Sequence, residues 1–462
     1  MKGKFLLFAA VLCFHVFINS CDSEQPIIEY IKAYDTIQVS DTVIVPDTVM
    51  VSDTIQLCDT IQVRDTLTVC DTLMVCDTIM VRDTIQISDT IKVCDTIQVS
   101  DTVVVRDIIE IRDTVVVYEN IEECVVEEFD IENAGTRKFL EEVDYTADTA
   151  YTVSYVNTYR KTYSANDKPL PVKISWDGES EYRVVISTSP GFSNPLVVQG
   201  TSSQVDIYNL IPDQKYYYKI LDSNDKILKV GCFRPVGPLR MIKGVADNVR
   251  DLGGWKVDGG HIAYGKIYRG AKLSSKSSAK DIFLNQLGIS VDMDLRGIKS
   301  SESTVGPVID EAEYVKFPVE KNMGRGTGNT QEVYQQAIRA VIGYLEEGKV
   351  VYFHCAGGAD RTGTLAFLIE ALVGMSESDL SKDYELTTFD GSNKRFRNYR
   401  ATEDETHILY ELITYLRKFG DFKTQTINEL VENWATTRHS PDVDPLTPEE
   451  IALLRKYLIV KD

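Results

Sequence analysis

The sequence predicts a multidomain chain in which a hexapeptide-repeat stalk and an all-β sandwich precede a C-terminal α/β domain, with a central, mostly parallel sheet flanked by helices. The stalk follows from an aspartate that recurs every six residues from Asp35 to Asp113. The sandwich follows from four segments of alternating apolar and polar residues between residues 145 and 238. The α/β domain follows from short apolar segments that alternate with helical periodicity from about residue 241.

Bulk composition narrows the classes of function. The 462 residues carry a formal net charge of -21, which disfavours nonspecific binding to nucleic acid because the phosphates would not be neutralised. The nine cysteines form no CxxC pair and no metal-ligand spacing with histidine. We therefore expect no metal, no cofactor and no nucleic-acid partner.

Residues 1–20 have the pattern of a targeting segment, because two lysines precede an apolar run that is too short to span a bilayer. The Ser20-Cys21 pair that follows resembles the cleavage site of bacterial lipoproteins, in which the cysteine is lipidated. The resemblance implies a lipid anchor on Cys21, a tether over residues 21–34 and a location in the cell envelope, periplasmic or surface-exposed. An ordinary secretory signal is the alternative. We expect contact with the membrane only through the anchor.

The hexapeptide repeat covers residues 35–118, and its β-branched residues favour an extended backbone. A fully extended spacer of this length would reach roughly 280 Å. A β-solenoid would instead coil the chain every eighteen residues, which is the spacing of Cys58, Cys76 and Cys94. Because the hexad lacks the glycine or small residues that are usual at solenoid corners, we favour an elongated, self-associating stalk that lifts the rest of the chain off the membrane. A disordered linker is the third alternative.

An acidic connector, predicted as a solvated segment with one short helix over 135–143, spans residues 119–144. The sandwich is assigned to residues 145–238. Its predicted strands are 172–176, 182–188, 203–210 and 215–222. Trp176 and the segment from Leu210 to Tyr216 resemble fibronectin type III domains. This resemblance implies a buried tryptophan and a tyrosine corner, in a domain that positions the enzyme or binds a partner.

The chemistry is concentrated in the segment HCAGGADRTG, residues 354–363. A short apolar strand over 349–353 precedes it, after a helix predicted over 331–345, and a helix over 364–373 follows it. A tight glycine-bearing loop that opens a helix presents backbone N–H groups to an anion. Positive potential from the helix and from Arg361 favours the thiolate of Cys355, and Arg361 can bind two phosphate oxygens side by side.

This segment resembles the signature of the cysteine-dependent protein tyrosine phosphatase superfamily, and most closely the bacterial tyrosine phosphatase family with Asp-Arg in the loop. The resemblance implies attack of Cys355 on phosphorus, a phosphocysteine intermediate and no metal. Arg361 would bind phosphate, Thr362 would help the sulfur leave, and His354 would orient the loop. The residues expected to bind substrate through the loop are Ala356, Gly357, Gly358, Ala359 and Gly363.

Three flanking segments agree with this resemblance. They are NVRDLGG at residues 248–254, IYRGA at 267–271 and the Asp294–Arg296 triplet after a strand predicted over 289–295. Asp383-Tyr384 and a closing helix over 446–458 fit as well. We expect these segments to support the loop rather than contact phosphate. The supporting residues predicted from them are Arg250, Asp251, Arg269, Asp294 and Arg296, with the three arginines as candidates for a direct part in the site.

The general acid is the open assignment, because the sequence has no Trp-Pro-Asp motif. Asp360 is the first candidate, since an aspartate directly before the signature arginine also occurs in related lipid phosphatases, where it is proposed to donate the proton. Glu320, which follows Phe317-Pro318, is the second. A general acid contributes about 10²- to 10⁴-fold to the rate.

Together these features predict a phosphomonoester hydrolase domain over residues 239–462, with phosphorylated protein as the leading substrate and a small phosphorylated ligand as the other partner. A phosphoinositide or inositol phosphate phosphatase is the alternative within the enzyme class, although Ala359 stands where a lysine often accompanies such substrates. A non-catalytic surface scaffold or adhesion protein is the alternative from another class, and the intact Cys355 and Arg361 pair argues against it.

Overall fold

The computed structural model describes short strands between residues 16 and 117, in the targeting segment, the tether and the repeat. Beyond them it describes residues 124–142, 145–146, 169–176, 182–200, 203–223, 225, 227–273, 277–297, 307–320, 322–323, 330–389 and 408–461. The predicted lipidation residue Cys21, most of the targeting segment and tether, and the repeat cysteines lie outside these residues. Within them, no helix has both the length and the apolar character that crossing a membrane requires. Two units are described separately below: Met1–Val125 with Val230–Cys232, and Val126–Lys229 with Phe233–Asp462.

The described residues of the first unit form sixteen short strands. These are β1 Val16–Ile18, β2 Ile31–Ala33, β3 Ile37–Val39, β4 Val43–Val45, β5 Val49–Val51, β6 Ile55–Leu57, β7 Ile61–Val63, β8 Leu67–Val69, β9 Leu73–Val75, β10 Ile79–Val81, β11 Ile85–Ile87, β12 Ile91–Val93, β13 Thr96–Val99, β14 Val103–Val105, β15 Ile109–Ile111 and β16 Thr114–Val117. They form three parallel sheets, in the orders β1-β3-β6-β9-β12-β15, β16-β13-β10-β7-β4 and β14-β11-β8-β5-β2.

The register of these sheets shows that the repeat returns to the same sheet every eighteen residues. Ile55 pairs with Leu73, and Ile79 pairs with Ile97, so that strands eighteen residues apart are hydrogen-bonded neighbours. This is the solenoid alternative, and it differs from the fully extended spacer. Stacked strands satisfy backbone N–H and C=O groups that a lone extended chain leaves to water. Self-association of the stalk stays a prediction. The same unit contains a disulfide between Cys124 and Cys232, which cysteine spacing did not predict.

The second unit begins with a two-sheet sandwich. Its strands are β17 Val126–Asp130, β18 Val172–Ser175, β19 Tyr182–Ser187, β20 Leu196–Gly200, β21 Gln204–Ile207, β22 Tyr216–Leu221 and β23 Ile227–Val236. Five of them form a sheet in the order β17-β23-β22-β19-β20, and β18 pairs with β21 in antiparallel fashion. All four predicted strands are present. The sequence predicts Val126–Asp130 as part of a solvated connector, but the structure has this segment as β17, an edge strand of the sheet. Charged side chains are tolerated at the edge of a sheet.

Two aromatic residues organise the sandwich. The hydroxyl of Tyr216 accepts a hydrogen bond from the N–H of Ile211 at 2.9 Å, which is the geometry of a tyrosine corner. Trp176 is buried against Tyr182, with ring centroids 5.4 Å apart. Trp176 and Tyr216 are thus both part of the hydrophobic core of the sandwich.

A short helix, α1 (Ala134–Leu140), follows β17 and begins at Asn133, whose side chain accepts from the N–H of Gly135. The sequence predicts it over 135–143, as part of a solvated connector. The structure differs, because Phe139 is fully buried against Phe389 of the C-terminal region, with ring centroids 5.3 Å apart. An apolar side chain of this size gains free energy from burial, and it fixes the connector to the domain that follows.

The C-terminal region is an α/β domain. Its strands are β24 Arg250–Asp251, β25 Lys256–Val257, β26 Gly260–Ile262, β27 Ile267–Ala271, β28 Val291–Asp294, β29 Glu313–Lys316, β30 Val351–Cys355 and β31 Ile459–Val460. Its helices are α2 Ser277–Asp281, α3 Thr330–Glu346, α4 Arg361–Leu372, α5 Glu377–Glu385, α6 Ile408–Leu416, α7 Ile427–Ala435 and α8 Pro448–Leu458, with a π-helical turn at Ile282–Gln286 and 3-10 turns at Leu386–Phe389 and Arg417–Phe419.

The main sheet has the order β24-β27-β30-β28-β29 and is parallel except where β24 meets β27. The prediction of a mostly parallel sheet flanked by helices is therefore confirmed for this region. Strand β30 is central, all five of its residues are buried, and its carboxyl end leads directly into α4. A ligand site is expected at this edge of an α/β sheet, outside the carboxyl ends of the strands.

A polar junction fixes the sandwich to the α/β domain. The buried Arg240 donates to the carbonyl of Asn209 through Nε at 3.0 Å and through Nη2 at 2.7 Å. The Asn209 side chain in turn accepts from the N–H of Lys243 at 2.7 Å and donates to its carbonyl at 3.0 Å. Because these donors and acceptors are paired across the junction, the sandwich is held against the C-terminal α/β domain.

Candidate active site

Cys355 lies at the carboxyl end of the central strand, at the base of a tight loop. Its side chain is 4% exposed, and helix α4 begins six residues later at Arg361. Gly358 adopts a φ of +66°, and a Cβ atom there would lie 2.4 Å from the backbone of Gly270. Only glycine satisfies both conditions, so this position lets the loop pack directly on β27.

Two side chains from other parts of the chain bind the carbonyl groups of this loop. Nδ2 of Asn248 donates to the carbonyl of Gly357 at 3.2 Å, and Nη2 of Arg269 donates to the carbonyl of Gly358 at 3.2 Å. Because these carbonyls are directed to donors outside the loop, the N–H groups of the loop are the ones that can converge on an anion. Asn248 and Arg269 belong to flanking segments that the sequence predicts to support the loop, and both contact it.

Arg361 is the first residue of α4, and it is held from two sides. Its carbonyl accepts from the hydroxyl of Tyr334 at 3.1 Å, and its Nη1 lies 3.4 Å from the carbonyl of Val319. The second contact brings the segment 317–320 against the arginine. A guanidinium at a helix N-terminus adds to the positive potential that the helix dipole supplies there.

A buried ion-pair cluster lies behind the two supporting residues. Asp383 of α5 accepts from Nε of Arg250 at 2.9 Å and from Nη1 of Arg269, and Arg250 also donates to Oδ1 of Asn248 at 2.8 Å. Burial raises the pKa of Asp383, but the charges of Arg250 and Arg269 outweigh burial and the net shift is downward. Asp383 therefore acts as the shared anion that orients both arginines.

His354 and the Asp294–Arg296 triplet form a second buried group. Nε2 of His354 lies 3.0 Å from Oδ1 of Asp292. Arg296 turns back on Asp294 through two side-chain hydrogen bonds of 2.8 Å, and the Tyr314 hydroxyl donates to the same carboxylate at 2.7 Å. Burial raises the pKa of Asp294, but the hydrogen bonds from Arg296, the interaction with His354 and the hydrogen bond from Tyr314 together outweigh burial, and the net shift of the pKa is downward. Arg296 is thus paired within its own triplet, and Arg250 and Arg269 are paired with Asp383.

Asp251 does not join the loop, in contrast to the prediction. Its carboxylate accepts from the N–H of Gly253 at 2.9 Å and of Gly265 at 2.8 Å, and it lies 3.2 Å from Nη1 of Arg240. Asp251 follows Arg250 directly in β24, and alternation along the strand sends their side chains to opposite faces. Asp251 therefore stabilises the turn and the junction with the sandwich.

Both candidate acids lie beside the site. Asp360 is half-buried directly before α4, and its side chain does not cap the helix. Glu320 follows the residue whose carbonyl faces Arg361, and a Cβ atom at Gly297 would lie 3.0 Å from its carboxylate. Thr362 is fully buried, and its hydroxyl has no hydrogen-bond partner in the part of the chain that the structure describes. The hydroxyl is therefore available to a group bound in the loop.

The sequence did not assign a role to several residues of this site. Asp383 was matched as part of a motif but without a role, and Asp292, Tyr334 and Thr387 carried no local signal. Thr387 accepts from Nδ2 of Asn248 at 3.1 Å. These contacts join residues that are far apart in sequence, so only the tertiary structure shows them. Within the described residues, no cluster of three His, Cys, Asp or Glu side chains is arranged to hold a metal ion.

Comparison with known proteins agrees with this geometry. Residues 242–459 match the tyrosine phosphatase family. A protein of Cupriavidus necator named "Putative tyrosine-protein phosphatase" is 29% identical over 160 residues, which cover 30% of this chain. The chain spans 59% of the length of that relative. The C-terminal region is therefore similar in sequence to the tyrosine phosphatase family and to this relative.

Proposed function

We propose that the protein is a cysteine-dependent phosphomonoester hydrolase of the cell envelope, with protein phosphotyrosine as its leading substrate. The observation that carries the proposal is the loop of Cys355, whose carbonyls are bound by Asn248 and Arg269 while Arg361 stands at its far end. This arrangement suits a tetrahedral dianion above a sulfur nucleophile.

In the first step, the Cys355 thiolate attacks phosphorus in line with the ester oxygen. The S–P bond forms as the P–O bond to the leaving group breaks, and Asp360 donates its proton to the leaving oxygen. The charge on the equatorial oxygens is stabilised by the loop N–H groups and by Arg361. The helix N-terminus favours the thiolate over the thiol before substrate arrives.

In the second step, water attacks the phosphocysteine. Asp360, now a carboxylate, accepts a proton from the water, and the S–P bond breaks to return the thiolate and release inorganic phosphate. The buried Thr362 hydroxyl can donate to the departing sulfur and stabilise its charge. Each proton that Asp360 gives in the first step is thus recovered in the second.

The assignment of the acid is tested by the dependence on the leaving group. Asp360→Asn should slow turnover of an alkyl or simple phenyl phosphate by about 10²- to 10⁴-fold and affect an activated ester much less. Glu320→Gln is the matched variant, because it alters the other candidate acid, which follows Val319, whose carbonyl lies against Arg361. If Glu320→Gln shows the leaving-group dependence and Asp360→Asn does not, the two roles are exchanged.

We further propose that Cys21 is lipidated, that the repeat holds the enzyme away from the membrane, and that the sandwich is a fibronectin type III-like domain. The serine-cysteine pair after a short apolar run supports the anchor. The eighteen-residue coil supports a spacer, and the Tyr216 corner supports the domain type. Metabolic labelling with a fatty acid, compared with the Cys21→Ala variant, tests the anchor.

The activity is tested with the full-length protein and its Cys355→Ser variant in EDTA and reductant. Three substrates are compared: p-nitrophenyl phosphate, a phosphotyrosine peptide and a soluble phosphoinositide. Turnover that the variant loses supports the thiolate mechanism, and a preference for the peptide supports protein phosphotyrosine. Preference for the phosphoinositide would favour the lipid alternative. No turnover by a folded, reduced protein would refute the enzyme and favour the scaffold.

A further inference from the structure

One buried carboxyl group near the site has no role in the chemistry described above. Glu370 lies on α4 and is 0% exposed. Neither of its oxygens has a hydrogen-bond partner of good geometry in the described part of the chain. A buried carboxylate without donors is too costly to persist in an apolar interior, so the group requires an explanation.

The position of Glu370 on α4 connects it to the loop. Gly363 lies seven residues earlier and therefore on the same face of the helix. A Cβ atom at Gly363 would lie 2.8 Å from the ring of Tyr384 and 3.2 Å from Nη2 of Arg269. This face of α4 thus packs on α5 and on the arginine that holds Gly358. Two helical turns further on, Glu370 reaches the carboxylate of Asp383, which binds Arg250 and Arg269.

We propose, on the basis of the phosphatase function above, that Glu370 is a positioning residue of this site: as a neutral acid it donates a hydrogen bond to Asp383 and holds that carboxylate toward the two arginines. Those arginines in turn bind the carbonyl of Gly358 directly and that of Gly357 through Asn248. Glu370 touches no substrate atom; it acts through Asp383 and the arginines.

The charges around Glu370 favour its neutral, protonated form. Arg250, Arg269 and Asp383 are all buried, and together they carry one unbalanced positive charge behind the loop. A second carboxylate would cancel that charge, whereas a neutral acid leaves it to support a thiolate and a phosphate dianion. Burial raises the pKa of Glu370 well above its usual range, and the charge of Asp383 raises it further, while Arg269 and Arg250 act in the opposite direction.

Two variants of the full-length protein test the inference. Glu370→Gln keeps the shape and a donor for Asp383 but cannot ionise. Glu370→Leu keeps the volume and apolar burial but removes the donor. We expect Glu370→Gln to retain most of the wild-type kcat/KM, and Glu370→Leu to lose about 10²-fold in kcat through a misplaced loop. Full activity of Glu370→Leu would show that the residue only fills space, and would overturn the proposal.

The protonation state has its own readout. The rate at which iodoacetate inactivates the enzyme is measured against pH, with residual activity as the signal so that the other cysteines do not contribute. If Glu370 is neutral, Glu370→Gln leaves the midpoint of this profile unchanged. If Glu370 is ionised, the substitution removes one negative charge from the cluster and moves the midpoint of the profile to lower pH. That result would refute a neutral Glu370.

A third measurement separates failure of this inference from failure of the proposed function. The infrared spectrum at neutral pH should contain one C=O band of a protonated carboxylic acid in the wild type that is missing in Glu370→Gln, whether or not the protein turns over substrate. An active protein without this band overturns the inference alone. A protein with the band but no phosphatase activity refutes the proposed function, and with it the positioning role.

Discussion

The neutral state of Glu370 predicts a specific dependence of stability on pH. In the folded protein, burial and the Asp383 charge raise the pKa of Glu370, whereas in the unfolded chain it titrates near the ordinary value of 4.5. Above that pH, unfolding releases a proton. Glu370 therefore stabilises the fold most below its unfolded pKa, and this contribution is lost as pH rises toward its folded pKa.

The magnitude follows from linkage. One proton released on unfolding lowers the free energy of unfolding by about 1.4 kcal/mol for each pH unit. Glu370→Gln cannot release that proton, so the difference in stability between variant and wild type should grow in favour of the variant by about 1.4 kcal/mol per unit between pH 5 and the folded pKa of Glu370. A hydrogen bond that glutamine gains or loses changes this stability difference by the same amount at every pH, so the dependence of the difference on pH is unaltered.

The measurement is denaturant unfolding at several pH values, monitored by tryptophan fluorescence, since Trp255 and Trp434 lie in the same hydrophobic core as α4. Glu346→Gln serves as the matched control, because Glu346 ends α3 and is exposed. Its stability difference from wild type should not change with pH. A difference between Glu370→Gln and wild type that is equally flat would refute a proton held by Glu370.

Two further substitutions test the contacts around the site. Asp383→Asn should lower the free energy of unfolding by about 3 kcal/mol, the low end for a broken buried pair, because Glu370 can then ionise and supply one negative charge. Its kcat should fall as well. A wild-type free energy of unfolding together with a wild-type kcat would contradict the role of Asp383 as the shared anion of Arg250 and Arg269. Tyr216→Phe should cost about 1 kcal/mol in denaturant unfolding, because the N–H of Ile211 loses its acceptor, and should leave kcat unchanged.

The strand, loop and helix around Cys355 could be predicted because the sequence signals for them are local. The strand, the loop and the first turn of α4 occupy one continuous segment, and glycine spacing and helical periodicity read directly from it. The observed helix starts at Arg361 instead of 364, and the observed strand ends at Cys355 instead of 353. Both shifts bring Cys355 and Arg361 into regular structure.

The residues behind the loop could not be predicted in the same way. Arg250 and Asp383 are 133 residues apart, and a charged residue in a helical segment normally indicates a solvated face. Likewise, the sequence of Val126–Asp130 reads as an acidic connector, and only its pairing with β23 makes it a strand. In each case a tertiary partner decides the environment, and a single sequence does not name that partner.

The convergence of Asn248, Arg269 and Tyr334 on backbone carbonyls implies that anion binding and chemistry are separable in this site. In the proposed site, backbone N–H groups and Arg361 form the anion cradle, and none of these donors depends on the sulfur of Cys355. Cys355→Ser should therefore bind inorganic phosphate about as well as wild type while losing turnover.

Asn248→Asp, in contrast to Cys355→Ser, should weaken the binding of phosphate in the cradle. It keeps an acceptor for Arg250 but places a carboxylate oxygen against the carbonyl of Gly357, where Nδ2 now donates. Repulsion there turns the carbonyl away, and phosphate affinity should fall by about tenfold or more, as expected for 1–3 kcal/mol from a lost buried donor. Calorimetric titration of both variants with phosphate checks the pair. Equal affinity in Asn248→Asp and wild type would mean that the carbonyl contacts do not set the orientation of the loop, and the argument from Gly357 and Gly358 to the anion cradle would fail.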